Sequence, residues 1–471
     1  MKTIISTEVE ENILGYEPIG KLLKMFAGPA ILSMLANSLY NIIDQIFIGN
    51  AVGYLGIAAT TIAFPLVTIV MSVGTLLGVG GSAFAAIKLG EGRKQDAQRI
   101  LNTVTFVLLL ISLLMVVLGL TFLEPLLTLF GATDATMLYS KQFSSVMISI
   151  IPFTTALIAL ANMARTDGSP RLSMEALVGG VILNIILAPI FIFLFDWGIM
   201  GAALATACAQ IFSVSVLLWY FLKESNMRLN KYDFFHPSKV LLTRVLAIGA
   251  SSGLVQVSAT ILQIVLNNSL LHYGNMEALG GDAAIGAMGI VMKVNMVFIS
   301  ICIGIGIGAQ PIVGFNRGAE SYGRVKAVYL MAAQRATLIT LIGWSCCMFI
   351  PHVILQIFGS GSTSGFLTFA TDCMRIFLGG VFTAGFQIIS TSYFQATGQP
   401  LKASILSLMR QFILLLPLII VLPLWFGLYG VLYAGVIADL ISATVVSVFI
   451  YKEMKKLNRL ISTESHPQVK N

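Results

Sequence analysis

The sequence predicts an all-α polytopic membrane protein, with twelve transmembrane helices in two parallel-repeat six-helix bundles around a central cleft. Three observations carry that prediction. Apolar runs of helix length recur from end to end, basic and uncharged gaps alternate between them, and the chain resembles itself after about 229 residues.

Of the 471 residues, 57% are hydrophobic and 10% charged, against about 25% charged in soluble domains. With a mean hydropathy of +0.90, a water-soluble enzyme of this size is excluded. One helix of about 24 residues plus a connection of ~15 fits the length about twelve times. The net charge of +7 and pI near 9.1 point to no nucleic-acid partner, because in membrane proteins the placement of charge matters more than its sum. Cys208, Cys302, Cys346, Cys347 and Cys373 all fall in apolar segments without CxxC spacing. Neither a disulfide framework nor a zinc site is indicated, and no cofactor or metal is expected.

Apolar runs place spans at 25–49, 57–87, 100–123, 137–161, 173–195 and 199–222, then 243–271, 283–312, 328–351, 366–395, 404–425 and 429–451. Spans 2, 8 and 10 are long enough to require tilt or an extra turn. Gaps after even-numbered spans carry Lys88, Arg93, Lys94 and Arg99; Arg165 and Arg171; Lys223, Arg228, Lys231 and Lys239; Arg317, Arg324 and Lys326. The tail adds Lys452, Lys455, Lys456 and Arg459, whereas the gaps after odd-numbered spans hold no Lys or Arg. A miscount by one span would destroy that alternation. By the positive-inside rule both termini are cytoplasmic in a multi-pass protein of the cell membrane. Residues 1–24, with Glu8, Glu10, Glu11 and Glu17 and no apolar core, read as a cytoplasmic lead and not as a cleavable signal. The lobes are expected at 25–222 and 243–451, with a linker at 223–242 and a tail at 452–471.

Gly80 and Gly90 in GVGGSAFAAIKLGEG match Gly308 and Gly318 in GIGAQPIVGFNRGAE at an offset of 228. Gly168 and Pro170 in TDGSPRLS match Gly398 and Pro400 in ATGQPLKA, and GIMGAALA at 198 matches GLYGVLYA at 427. Six spans per copy give both copies one orientation, related by an axis along the membrane normal. No filter segment suggests a channel. His236, His272, His352 and His466 are scattered without catalytic partners, and no Walker A pattern is present. Secondary transport is the class that remains.

Segment 29–49, PAILSMLANSLYNIIDQIFIG, resembles the first helix of multidrug and toxic compound extrusion (MATE) transporters. ARTDGSPRL, ILNIIL with PIFIF and GIMGAALAT behind it, and GAQPIVGFNRGA resemble further motifs of that family in the same order. The resemblance covers nearly the whole chain and is closest to the prokaryotic DinF-like and MepA-like branch. It implies a twelve-helix, two-lobe antiporter that exports amphipathic, often cationic compounds in exchange for protons or sodium ions.

Asp44 is the sharpest site candidate, because it lies late in span 1, ~9 Å from that span's outer end. A carboxylate at such depth is a functional-site hypothesis by default, and the resemblance makes it the ion-coupling acid. By matching motifs the resemblance also implies that Tyr40 lines the site and that Pro29 holds a helix-kinking position. Asn184 and Thr206 match the acid's polar partners. Where the family motif on span 5 usually has an aspartate, this chain has Ala188. A proton needs one base whereas sodium needs several oxygen ligands, so protons are favoured over sodium.

Lys293 and Asp439 are each about eleven residues into outside-to-inside spans, ~16 Å deep. Equal depth makes a pair feasible, either static or with a substrate or proton role, and Arg410 competes for Asp439. Span 7 offers Gln256, while Asp372 and Arg375 are spaced as a surface helix pair. Twenty methionines and 29 phenylalanines permit adaptable cleft walls. The expectation is therefore a monomeric, non-enzymatic proton-coupled exporter of small amphipathic or cationic substrates, in contact with membrane lipid. A lipid-linked saccharide flippase is the rival, but only Lys293 and Arg410 are available as inward cations for a pyrophosphate.

Overall fold

The computed structural model describes residues 13–465 apart from 53, 131, 133, 278, 279 and 358–363. The described residues are mostly helical, with no strand among them. The twelve expected spans appear in order. In the first half these are α1 (Ile19–Val52), α2 (Tyr54–Gly90), α3 (Lys94–Thr121), α4 (Asp134–Ser149 with Ile151–Thr166), α5 (Pro170–Pro189, continued by a π-helical turn Ile190–Leu194) and α6 (Gly198–Lys223). The second half holds α7 (Lys239–Gly274), α8 (Gly281–Gly318), α9 (Tyr322–Phe349) and α10 (Ser364–Phe377 with Ala384–Ala396). It closes with α11 (Pro400–Leu408, the π-helical Met409–Leu415 and Leu416–Val421) and α12 (Pro423–Ser465). Ten helices are individually long and apolar enough to cross a membrane, and twelve spans result if the bent α4 and α10 each count as one. Their bends are 50° and 41°.

The repeat is visible in how helices are joined. Gly168 and Gly398 both take positive φ, at 93° and 68°, which an L side chain resists and glycine does not. At each, the amide three residues past the helix end reaches back: Ser169 N–H donates to Ala164 O and Gln399 N–H to Phe394 O, both at 2.9 Å. Pro170 and Pro400 then open the next helix, where the missing N–H costs nothing. The α11–α12 corner falls within Pro423–Ser465, where Gly427 (φ 55°, ψ −138°) breaks the helix.

The two lobes meet along paired helices, α2 with α7 and α1 with α8. Gly90 and Gly318, repeat equivalents, approach each other's helix reciprocally: a Cβ at Gly90 would collide with Phe315 O and one at Gly318 with Ile87 O. Farther from the basic gaps, Ser72 Oγ donates to Gly253 O at 3.0 Å. Ser300, the repeat equivalent of Ser72, pairs with Ser38 at 3.2 Å between hydroxyl oxygens. Among the described residues, contacts between the lobes thus gather in the half of the molecule that carries the basic gaps.

The described part of the segment before the first expected span packs into the second lobe. Leu14, Leu22, Leu23 and Phe26 are buried in one cluster with Ile312, Val325, Tyr329 and Phe394. Arg324 donates to Leu14 O at 3.2 Å and Glu17 O at 2.8 Å, and Asn316 Nδ2 to Leu14 O at 2.9 Å. Buried backbone carbonyls need donors such as these when they leave water.

Candidate functional site

In the first lobe, α1 runs unbroken through Pro29, whose carbonyl accepts from Ser33 Oγ at 2.8 Å. Tyr40 and Asp44 lie farther along the same helix, and their side chains fall outside the described residues. Backbone register puts Asp44 six residues past Ser38, about 9 Å beyond the α1–α8 crossing. Asn184 on α5 donates from Nδ2 to Thr206 Oγ1 on α6 at 3.0 Å, with both side chains buried. The structure therefore brings together two of the expected polar partners. Ala188, one turn farther along α5, is fully buried among Ile48, Ile192, Ile199 and Ala202. The side chain at position 188 supplies no oxygen to a cation.

The second lobe corrects one pairing. Asp439, 1% exposed, is bonded by Arg410 Nε of α11 and not by Lys293. Equal depth allowed either cation, but azimuth decides. Arg410 stands on the helix packed against α12, at the start of the π-helical turn Met409–Leu415, and such turns re-aim side chains where they insert an extra residue. Gln387 Nε2 donates to Asp439 O at 3.1 Å, and Ser442 Oγ donates to Gln387 Oε1 at 2.8 Å. Lys293 is exposed, with no hydrogen bond or ion pair among the described residues. Asp372 accepts from Tyr429 OH at 2.9 Å, and Arg375 Nε donates to Met348 O instead of pairing with Asp372.

The register of α7 shows a polar stripe of which the sequence reading noted only Gln256. Gln256, Thr260, Gln263 and Asn267 fall within about 40° of the Gly249 line that faces α2. They lie past the Ser72–Gly253 bond, where the lobes separate. Apolar Leu254, Val257, Ile261 and Ile264 are exposed on another face, and Leu266 and Leu270 enter the lobe's core. Gln263 Nε2 donates to Asn267 Oδ1 at 2.9 Å. The available signal was polar residues recurring at positions i, i+4, i+7 and i+11.

At the basic end the lobes hold one buried acid each. Asp167 Oδ2 accepts from Tyr220 OH at 2.6 Å, Ser225 Oγ at 2.7 Å and Asn226 N–H at 3.0 Å. Its Oδ1 is buried without a partner. Burial raises the Asp167 carboxyl above its ordinary value, outweighing the donors that stabilise the anion. Glu453 on α12 accepts from Gln399 Nε2 at 2.8 Å and pairs with Lys402 Nζ at 2.9 Å. Among the described residues no group of three His, Cys, Asp or Glu is placed to hold a metal ion.

The MatE family model matches residues 29–190 and 254–421. The multidrug export protein MepA of Staphylococcus aureus (strain NCTC 8325 / PS 47) is 27% identical over 444 residues, spanning 94% of this chain and 96% of that protein. Its namesake in Staphylococcus saprophyticus is 25% identical over 426 residues, covering 90% and 92%. Among solved structures, the MATE multidrug transporter DinF-BH superposes with a TM-score of 0.85 at 32% identity, over 94% of this chain and 97% of that one. A MATE structure in the bent conformation gives a TM-score of 0.87 at 22% identity, covering 98% and 99%.

Proposed function

Because the chain belongs to the MATE family, whose members are transporters and not enzymes, we propose that it exports amphipathic and cationic drugs as a secondary antiporter driven by protons. The basic end is the cytoplasmic one in this reading, so both termini are cytoplasmic. The described conformation then seals the cytoplasmic side and opens the cleft outward. One observation carries the reading. Contacts between lobes gather in the basic half, while Asp44 stands on α1 beyond the last of those bonds. A carboxylate there is within reach of outside protons in one conformation and of cytoplasmic substrate in the other.

Asp44 is assigned the coupling role: ionised it holds a cationic drug, and protonated outside it releases the drug. Asn184 and Thr206 are assigned as neutral neighbours that orient the site, with Tyr40 lining it and Pro29 as the point where α1 changes shape. Protons are favoured over sodium because Ala188 offers no second carboxylate. Coupling is tested in proteoliposomes carrying a fluorescent organic cation, under a proton gradient alone and then a sodium gradient alone. Proton-driven movement should fall at least tenfold in Asp44→Asn. Sodium-driven movement, or full activity in the variant, overturns the assignment.

A further inference from the structure

We propose that Lys293 is an anion-binding residue of the cleft, and that it selects substrates carrying a carboxylate on an amphipathic aromatic body. The proposal rests on the export reading and narrows its substrate class.

The position of Lys293 follows from the α8 wheel. Ser300 and Gly304 each fall within about 20° of Lys293 at 100° per residue. Ser300 touches Ser38 and Gly304 lies against Ile31, so this face of α8 meets α1. The opposite face, Ala287, Val291 and Val294, is buried in the core of the second lobe. Lys293 is therefore on the lobe-to-lobe face, seven residues or about 10 Å past the last bond to α1. Gly289, the next residue on that line, has nothing within 4 Å of its would-be side chain. Among the described residues, the face of α8 one turn beyond Lys293 is therefore uncovered at that glycine.

Its charge is unspent. Asp439 is already bonded by Arg410, and Lys293 has no ion pair or hydrogen bond among the described residues. An ionisable residue at that depth is expensive to keep unless it serves a partner. Exposed Met296 and Val297 flank it and offer apolar contact to the body of a ligand. On the neighbouring α7, Thr260 stands seven residues past Gly253, the same height above the crossing as Lys293. Gln256 and Gln263 lie either side of it on that stripe, which places neutral polar groups at the height of Lys293. A carboxylate between an ammonium and neutral donors gains charge-assisted hydrogen bonds that its ester does not.

Rhodamine 110 and its methyl ester, rhodamine 123, differ only in whether that carboxylate is free. Each is measured for binding by fluorescence polarisation on purified protein, and for export from proteoliposomes. The wild type should prefer the acid over the ester, and Lys293→Met should lower the acid-to-ester ratio about tenfold in both measurements. Lys293→Arg, which keeps the charge, should retain the preference. A matching melting temperature shows that Lys293→Met is folded. If wild type and Lys293→Met handle the two dyes in the same ratio, the anion site is refuted and the export reading stands. If the acid binds in a Lys293-dependent way but no gradient moves either dye, the site stands and the export reading falls. Failure to bind or move either dye refutes both.

Discussion

The two lobes share one backbone plan and differ in chemistry at the same point of it. With the corner glycines Gly198 and Gly427 aligned, Gln210 of α6 corresponds to Asp439 of α12. With Gly168 and Gly398 aligned, Gly180 of α5 corresponds to Arg410 of α11. In the first lobe Gln210 accepts from Thr154 Oγ1, a neutral bond to α4. Gly180 lies directly under Ser213, leaving no room for a side chain. In the second lobe the same two positions carry an ion pair, and α11 takes a π-helical turn where the arginine enters. The repeat thus preserves helix spacing but not charge. A buried ion pair is poor evidence of added stability, so it distinguishes the lobes in what happens when one partner is lost.

The largest expected effect follows from breaking that pair. Arg410→Met leaves Asp439 buried and uncompensated, and should cost about 3–5 kcal/mol of stability, read as a lower melting temperature in detergent. Adding Asp439→Gln, which copies the first lobe's Gln210, should restore most of the loss. If the double variant is no better than the single one, the two lobes are not equivalent at this position.

Next comes the contact the lobes share. Gly90→Leu and Gly318→Leu each insert a side chain against a backbone carbonyl of the other lobe, where neither partner can yield. Both should separate the basic ends, seen as a longer distance between spin labels on α2 and α8, and should do so equally. Gly323→Leu, at a position with open space around it, should leave the distance unchanged. Unequal shifts would show that the repeat symmetry stops short of this contact.

The smallest effect concerns the buried acid in the turn between α4 and α5 of the first lobe. Burial raises the Asp167 carboxyl above its ordinary value of 3.8, so folding favours its protonated form. That contribution is complete below 3.8 and disappears as pH rises through the raised value. Asp167→Asn stays neutral, so the variant should lose less melting temperature than wild type as pH rises from 4 into the neutral range. A steeper loss in the variant would mean that the donors from Tyr220, Ser225 and Asn226 outweigh burial.

Much of the fold was legible because the membrane permits few solutions. A backbone in hydrocarbon must satisfy its own hydrogen bonds, so runs of apolar residues become helices whatever they pack against, and all twelve appear in order. Three details were not legible. The chain around Leu14 and Leu22 carries glutamates and reads as a solvated lead, yet its apolar face fills the second lobe's core. The bends in α4 and α10 leave no local signal beyond Pro152 near one and Gly379 with Gly380 near the other. The partner of Asp439 was ambiguous because depth along a helix can be counted in residues, whereas azimuth depends on how neighbouring helices are rotated.

The sequence by itself determined that this protein spans the membrane, how many times, in two like halves, and with which acids and bases inside. These follow from solvation, which acts on each segment separately and is written in composition and spacing. Only the tertiary structure decided that Arg410 neutralises Asp439, that Lys293 lies on the face of α8 that meets α1, and that glycines 90 and 318 meet across the seam. Those outcomes depend on the relative rotation of packed helices, a property that no single helix carries in its own residues.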